Sequence, residues 1–121
     1  MPEGLGTAGA NTSLDALVAA HPWIKLHTAA PGPTAVLAAA TETTRKQATW
    51  GAAAAGSVAN SNVLTWTAIA GSQDATHFSA WTASTAGTFG FSGTITANAY
   101  TAGDTYSVAV GALTASFALA S

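Results

Sequence analysis

Histidine, carboxylate and serine are the side chains here with chemistry to offer, and their spacing limits what they can do. The histidines are His21, His27 and His77. None stands at i+2 or i+4 from another ligand type, as zinc or facial-triad iron sites require. Pairing of two strands would bring His27 beside His77, with Asp74 or Asp104 nearby. The simpler expectation is that the ring nitrogens bond backbone or hydroxyl groups, so no metal residue is assigned. The five carboxylates are scattered singly and suggest no glycosidase pair. Serines are plentiful, but no G-x-S-x-G elbow occurs. Gly4-Leu5-Gly6-Thr7-Ala8-Gly9 has the spacing of the dinucleotide fingerprint, yet no strand precedes it to deliver a glycine turn to a helix N-terminus. The chain therefore reads as non-enzymatic, with no catalytic or cofactor-binding residue and no cofactor.

Tryptophan and the one charge cluster remain. Trp23, Trp50, Trp66 and Trp81 could stack on sugar rings, but at least three are expected to be core or interface anchors. Arg45 and Lys46 with Glu42 read as a solvated strand or an intersubunit salt bridge, and Leu5 is the large apolar residue of the N-terminal stretch. These seven anchor positions are Leu5, Trp23, Arg45, Lys46, Trp50, Trp66 and Trp81.

Only 7% of the 121 residues are charged, three basic and five acidic, against about a quarter in an ordinary soluble domain. Disorder is excluded by the aromatics and the lack of charge. A surface of Ala, Thr, Ser and Gly with so little charge suits packing against neighbours, so the chain reads as a subunit of an assembly. A net charge of −2 offers no basic field for nucleic acid. No cysteine is present, which excludes disulfides and thiolate metal sites. No signal-peptide pattern is seen, and no membrane partner is expected.

The elements that must position these residues centre on a hairpin from Thr76 to Ala97, turning at Ser84-Thr85-Ala86-Gly87. In it Phe78 and Ala80 face away from His77 and Trp81, while Phe89, Phe91 and Ile95 share one face. Residues 1–10 read as an extended Gly-rich arm, and residues 11–121 as one domain. A short helix is expected from Ser13 to Ala20, capped by Asn11, Thr12 or Ser13, with Leu14, Leu17 and Val18 on one face. Trp23 to Thr28 alternates as a strand with Ile24 and Leu26 inward and Trp23, Lys25 and His27 outward. A long connection follows, with a helical turn at Val36 to Ala40. Strands are expected at Thr44 to Trp50 and at Asn62 to Ile69, the latter with Leu64, Trp66 and Ala68 on one face and a loop of tiny residues, Gly51 to Asn60, between the two. Tyr106, Val108 and Val110 line a further strand, and Leu113, Ala115, Phe117 and Leu119 the last. The fold class is all-β: a compact antiparallel β-sandwich of about seven or eight strands with one short N-terminal helix.

The runs WIKLHTAAPGP (Trp23 to Pro33), TETTRKQATWG (Thr41 to Gly51), THFSAWTASTAGTFGFSGTITA (Thr76 to Ala97) and AGDTYSVAVGALT (Ala102 to Thr114) resemble a family of small virion proteins of actinobacterial tailed phages. Its members are labelled head decoration, minor tail or tail fibre protein. Ala30 departs from that pattern, in which Asp often precedes Pro-Gly. The resemblance implies a β-rich structural protein located in the virion. The expected role is a capsid decoration (minor capsid) protein on the outer head surface, partnered by the major capsid protein and copies of itself. The alternatives are a tail fibre or minor tail protein contacting tail proteins or a host surface glycan, and a carbohydrate-binding module.

Overall fold

A computed structural model describes residues 6–40 and 42–116. Along the chain run α1 (Thr7–Ala20), β1 (Trp23–His27), β2 (Lys46–Gln47), β3 (Ser57–Ala59), β4 (Leu64–Trp66), β5 (Gln73–Trp81), β6 (Phe89–Tyr100), β7 (Tyr106–Val108) and β8 (Thr114–Ser116). Strands β2-β1-β5-β6 form an antiparallel sheet, and β3–β8 and β4–β7 form two separate antiparallel ladders. The expectation of an antiparallel β domain with one N-terminal helix holds, and the sheets stay open.

Alternation places the main core. Ile24 and Leu26 of β1 and Phe78 and Ala80 of β5 meet Leu64 and Trp66 of β4 and Tyr106 and Val108 of β7, so one face of the main sheet packs on the β4–β7 ladder. Such two-layer packing is how a sheet with one apolar face removes it from water. Phe78 lies directly across from Gly93. A Cβ there would stand 2.8 Å from the Phe78 ring, so the missing side chain is what lets the ring lie flat on β6.

The helix begins at Thr7, earlier than expected, so residues 7–10 of the expected extended arm are helical; residues 1–5, Leu5 among them, lie outside the described residues. The cap is Gly6, without a side-chain bond. Asn11 and Asp15 instead reach outward: their Oδ1 atoms accept the Gly56 and Ala53 N–H groups at 3.0 and 2.9 Å. The buried stripe is Ala10, Leu14 and Val18, four residues apart, on Val58, Trp50 and Phe91. A buried alanine carries too little hydrophobic signal to mark that first turn.

Several other expectations are corrected. Gly51 to Asn60 is not all loop, because Ser57–Ala59 forms β3 against β8. Thr44 to Trp50 shrinks to the two residues of β2, since Ala48 N–H bonds Pro22 and Thr49 bonds the Ser61–Asn62 segment. Val36 to Ala40 is not helical: Ala35 and Ala38 are left-handed (φ 58° and 52°) and Ala39 bridges to His27. Ala68, also left-handed (φ 49°), breaks the alternation of β4, so Ala68 is exposed and Ile69 buried. Val110 falls in a turn beyond β7 and is exposed. Phe117 and Leu119 lie outside the described residues.

A bulge changes the hairpin. Trp81 pairs with Phe89 but Ala80 with Phe91, leaving Gly90 extra. Phe89 therefore sits on the Trp81 face, while Phe91 stays on the core face against Phe78 and Trp50. Gly90 is required there because a Cβ would run into the His21 ring.

Two substitutions test these backbone demands. Ala54 and Ser57 exchange both hydrogen bonds around Ala55 (φ 51°) and Gly56 (φ 76°), the two-residue hairpin turn that favours Asn-Gly. Ala55→Asn should raise stability by about 0.5–1 kcal/mol, read as an increase of a few degrees in Tm. Gly93→Ala should lower it by about 1–3 kcal/mol through overpacking against Phe78, read in the same melts.

Candidate functional site

The face of the main sheet that points away from the core carries Trp23 and Trp81, with Arg45 laid over it. Register places Gln47, Trp23, Trp81 and Phe89 in one row across β2, β1, β5 and β6. Trp23, Trp81 and Phe89 are half-buried. Trp81 and Phe89 meet at 5.6 Å between ring centroids. The Arg45 guanidinium lies over the Trp81 ring at 4.2 Å, a cation–π contact. The same guanidinium donates to the carbonyls of Ala83 and Ala86 at 2.9 and 2.7 Å, pinning the hairpin loop.

Next along the sheet, His27 and His77 are directly paired. His27 is completely buried, contrary to the outward face read from alternation, because the loop after β1 folds back over it. The Trp81 indole N–H donates to Ser79 Oγ at 2.7 Å, and Ser79 Oγ lies 2.8 Å from His27 Nε2. His27 Nδ1 lies 2.9 Å from the Leu37 carbonyl. A carbonyl only accepts and an indole only donates. His27 is therefore protonated on Nδ1, and in its neutral form Nε2 accepts the Ser79 hydroxyl. Burial, first of all, pushes the imidazole below its ordinary value. Lys25 and His77 push the same way, while the carbonyls of Leu37 and Ala38 oppose them. His77 donates from Nδ1 to Thr76 Oγ1 at 2.8 Å, since that hydroxyl is itself given to the Thr28 carbonyl.

Ser79 and His27 have the contact distance of a nucleophile and its base. Both are fully buried, and Ser79 Oγ is held between Trp81 and His27, so no substrate reaches the hydroxyl. The pair is a structural relay. Among the described residues no group of three or more metal-binding side chains converges, and no helix is long and apolar enough to cross a membrane.

The other anchor candidates separate. Trp66 is buried, its indole N–H donating to the Thr44 carbonyl at 2.8 Å. Trp50 packs on Phe91 and lines an open cleft of about 390 Å³ with Asp15, Val18, Pro22 and Gln47. Lys46 sits half-buried on β2, opposite Ile24. Glu42 binds no basic side chain directly. Its carboxylate accepts the Ala70 and Thr44 N–H groups at 3.0 and 3.2 Å. Burial alone would push the Glu42 carboxyl up, but these hydrogen bonds and nearby Lys46 outweigh it and hold the group below its ordinary value. Within the expected cluster, Glu42 and Arg45 thus bind different backbone segments, and Lys46 acts on Glu42 through its charge.

Sequence reasoning missed Asn60, which is buried and uses its whole amide. Oδ1 accepts Leu113 N–H at 2.9 Å, and Nδ2 donates to the carbonyls of Asn62 and Ala109 at 2.7 and 3.1 Å. An asparagine between small residues reads as a turn, and nothing local reveals its distant partners.

The described residues form an open antiparallel β domain, in a chain of which only 7% is charged. Over residues 7–116 the chain matches the family described as Podophage GP4 fiber I protein gp80, and it belongs to that family. It is accordingly a bacteriophage structural protein and a component of the virion. No curated protein matches the chain.

The relay fixes a pH dependence. His27 has a folded pKa below its unfolded value, so below about pH 6.5 the unfolded chain takes up a proton that the folded chain refuses. Stability should be full above that pH and fall on acidification until the folded pKa is reached, by at most about 1.4 kcal/mol per pH unit. Glu42 adds a second loss as pH drops through and below the ordinary carboxylate range. Urea denaturation at pH 7.5, 6 and 5, points chosen on the order of the His titration, measures this. His27→Asn should be less stable throughout but show a flatter profile over that interval.

Proposed function

We propose that this protein is a non-enzymatic fibre subunit that assembles with copies of itself and neighbouring virion proteins. The match to a fibre family over nearly the whole described chain carries this reading. The chain's composition supports it: a surface with few charges and exposed apolar side chains suits contacts between subunits. Placement as a decoration protein on the capsid draws on the resemblance of several runs and on the low charge, which a fibre subunit shares. A sugar platform has less support, because Trp66 is buried and Trp81 is covered by Arg45.

A tag on Ser121, labelled on intact particles and viewed by electron microscopy, tests the placement. Label on slender projections is the expected result. Label spread evenly over the head surface would reject the fibre reading in favour of capsid decoration.

A further inference from the structure

The chain has three basic residues, Lys25, Arg45 and Lys46, and two of them belong to the outer face of the main sheet. Ile24 pairs with Lys46 on the core side. The next ladder position therefore sets Lys25, which alternates with Trp23 on β1, beside Arg45, which precedes β2. The only carboxylate in the four strands of this sheet is Asp74. It lies seven positions before Trp81 on β5, roughly 20 Å from it along an extended strand. The other described carboxylates are engaged elsewhere, Glu42 with Thr44 and Ala70, Asp15 with Ala53 and Asp104 with Thr101. Like charges at facing positions of a ladder repel, and an anion between them turns that repulsion into attraction.

Arg45 is already held in place for such a ligand. Its guanidinium stacks on the Trp81 ring at 4.2 Å, and Nη1 gives both of its hydrogens to the carbonyls of Ala83 and Ala86, at 2.9 and 2.7 Å. Nε–H and Nη2–H form the remaining edge, two parallel donors that bond no described residue. Partial burial pushes the guanidinium below its ordinary value, so the charge is partly taken from water with no counter-ion beside it. Trp81 stands in the middle of its row, and Trp23 and Phe89 on either side are half-buried. The stacked arginine is thus flanked by two partly exposed aromatic rings, and its fixed position lowers the ordering cost of binding.

We propose that this face binds an acidic sugar, with the carboxylate of a hexuronate ring on the free edge of Arg45 and beside Lys25, and the ring itself against Trp23. Arg45 covers Trp81 and denies it to a sugar as a stacking surface; the covered ring serves to present the cation. A planar carboxylate matches two parallel N–H donors with two bonds at once. Two cations are too few to hold nucleic acid. An extended peptide needs a strand edge to bond its backbone, and β1 and β5 are bonded on both sides within the sheet. A sugar needs only side chains: an aromatic face for its C–H groups and an amide for its hydroxyls, such as that of Gln47 across from Trp23. The site stands on this face alone, so the proposal goes beyond the fibre reading and does not rest on it.

Titration calorimetry of the purified protein with oligogalacturonate and with oligoglucuronate tests the site. At least one of the two should bind, and more weakly as salt is raised. Its neutral methyl ester should bind roughly 10- to 100-fold more weakly, the loss expected when hydrogen bonds to a charged group are removed. Polyglutamate, which carries carboxylates without rings, should bind no better than the ester. Lys25→Gln, and Arg45→Lys, which keeps the charge but not the fork, should each weaken binding about tenfold or more. Lys46→Gln, on the core side, should bind like wild type. Circular dichroism confirms that each variant is folded, and Lys25→Gln decides the matter if Arg45→Lys disturbs the hairpin loop. Silence of both uronates, equal binding of the ester or of polyglutamate, a folded Lys25 or Arg45 variant that binds like wild type, or an equal loss in Lys46→Gln overturns the proposal. None of these outcomes alters where a Ser121 label falls on the particle, so failure of the site is distinguishable from failure of the fibre reading.

Discussion

The buried amide of Asn60 joins two ladders that share no strand. Its side chain binds Leu113 N–H and the carbonyls of Asn62 and Ala109. Its backbone binds Leu113 and Gly111 as well. The connection from β3 to β4 is thereby fixed to the connection from β7 to β8. Without it, buried backbone groups on both connections would face each other unpaired, a state that costs more than an ordinary hydrogen bond contributes. That junction ties the β4–β7 ladder, which packs over the main sheet, to the β3–β8 ladder, on which α1 lies.

Packing here works by close approach more than by bulk. Alanine and glycine bring backbones near enough for a few rings to fill the gaps: Phe78 on Gly93, His21 on Gly90, and Phe91 between the two core clusters. Phe91 touches His21, Trp50 and Phe78 at centroid distances of 6.5, 5.9 and 6.0 Å. Phe91, together with Trp50, thus couples the helix to the main core. A thin core of this kind tolerates little change in volume, because there is no flexible bulk to redistribute.

Several of the scarce charges serve the chain's own backbone. Glu42 holds the N–H groups of Thr44 and Ala70, Arg45 the carbonyls of Ala83 and Ala86, and Asp15 the N–H of Ala53. Each closes a loop that strand pairing leaves open. The chain keeps long runs without charge, from 26 to 41, 47 to 73 and 105 to 121.

Alternation and composition alone determined the fold class and the inward residues of β1, β5 and β7. Those features were legible because burial repeats every two residues along a strand whatever its partners are. The resemblance of several runs to virion proteins carried the functional class, and the family match supports a phage structural protein. The tertiary structure alone decided the rest. Phe89 left the face of Phe91 because Gly90 bulges, and Ala68 turned outward because its φ is positive. His27 became buried because a loop ten residues on returns to its ring, and the site row of Trp23, Trp81 and Phe89 exists only through strand register. Each depends on a contact with a residue distant in sequence, and a local pattern contains no record of where such a partner will lie.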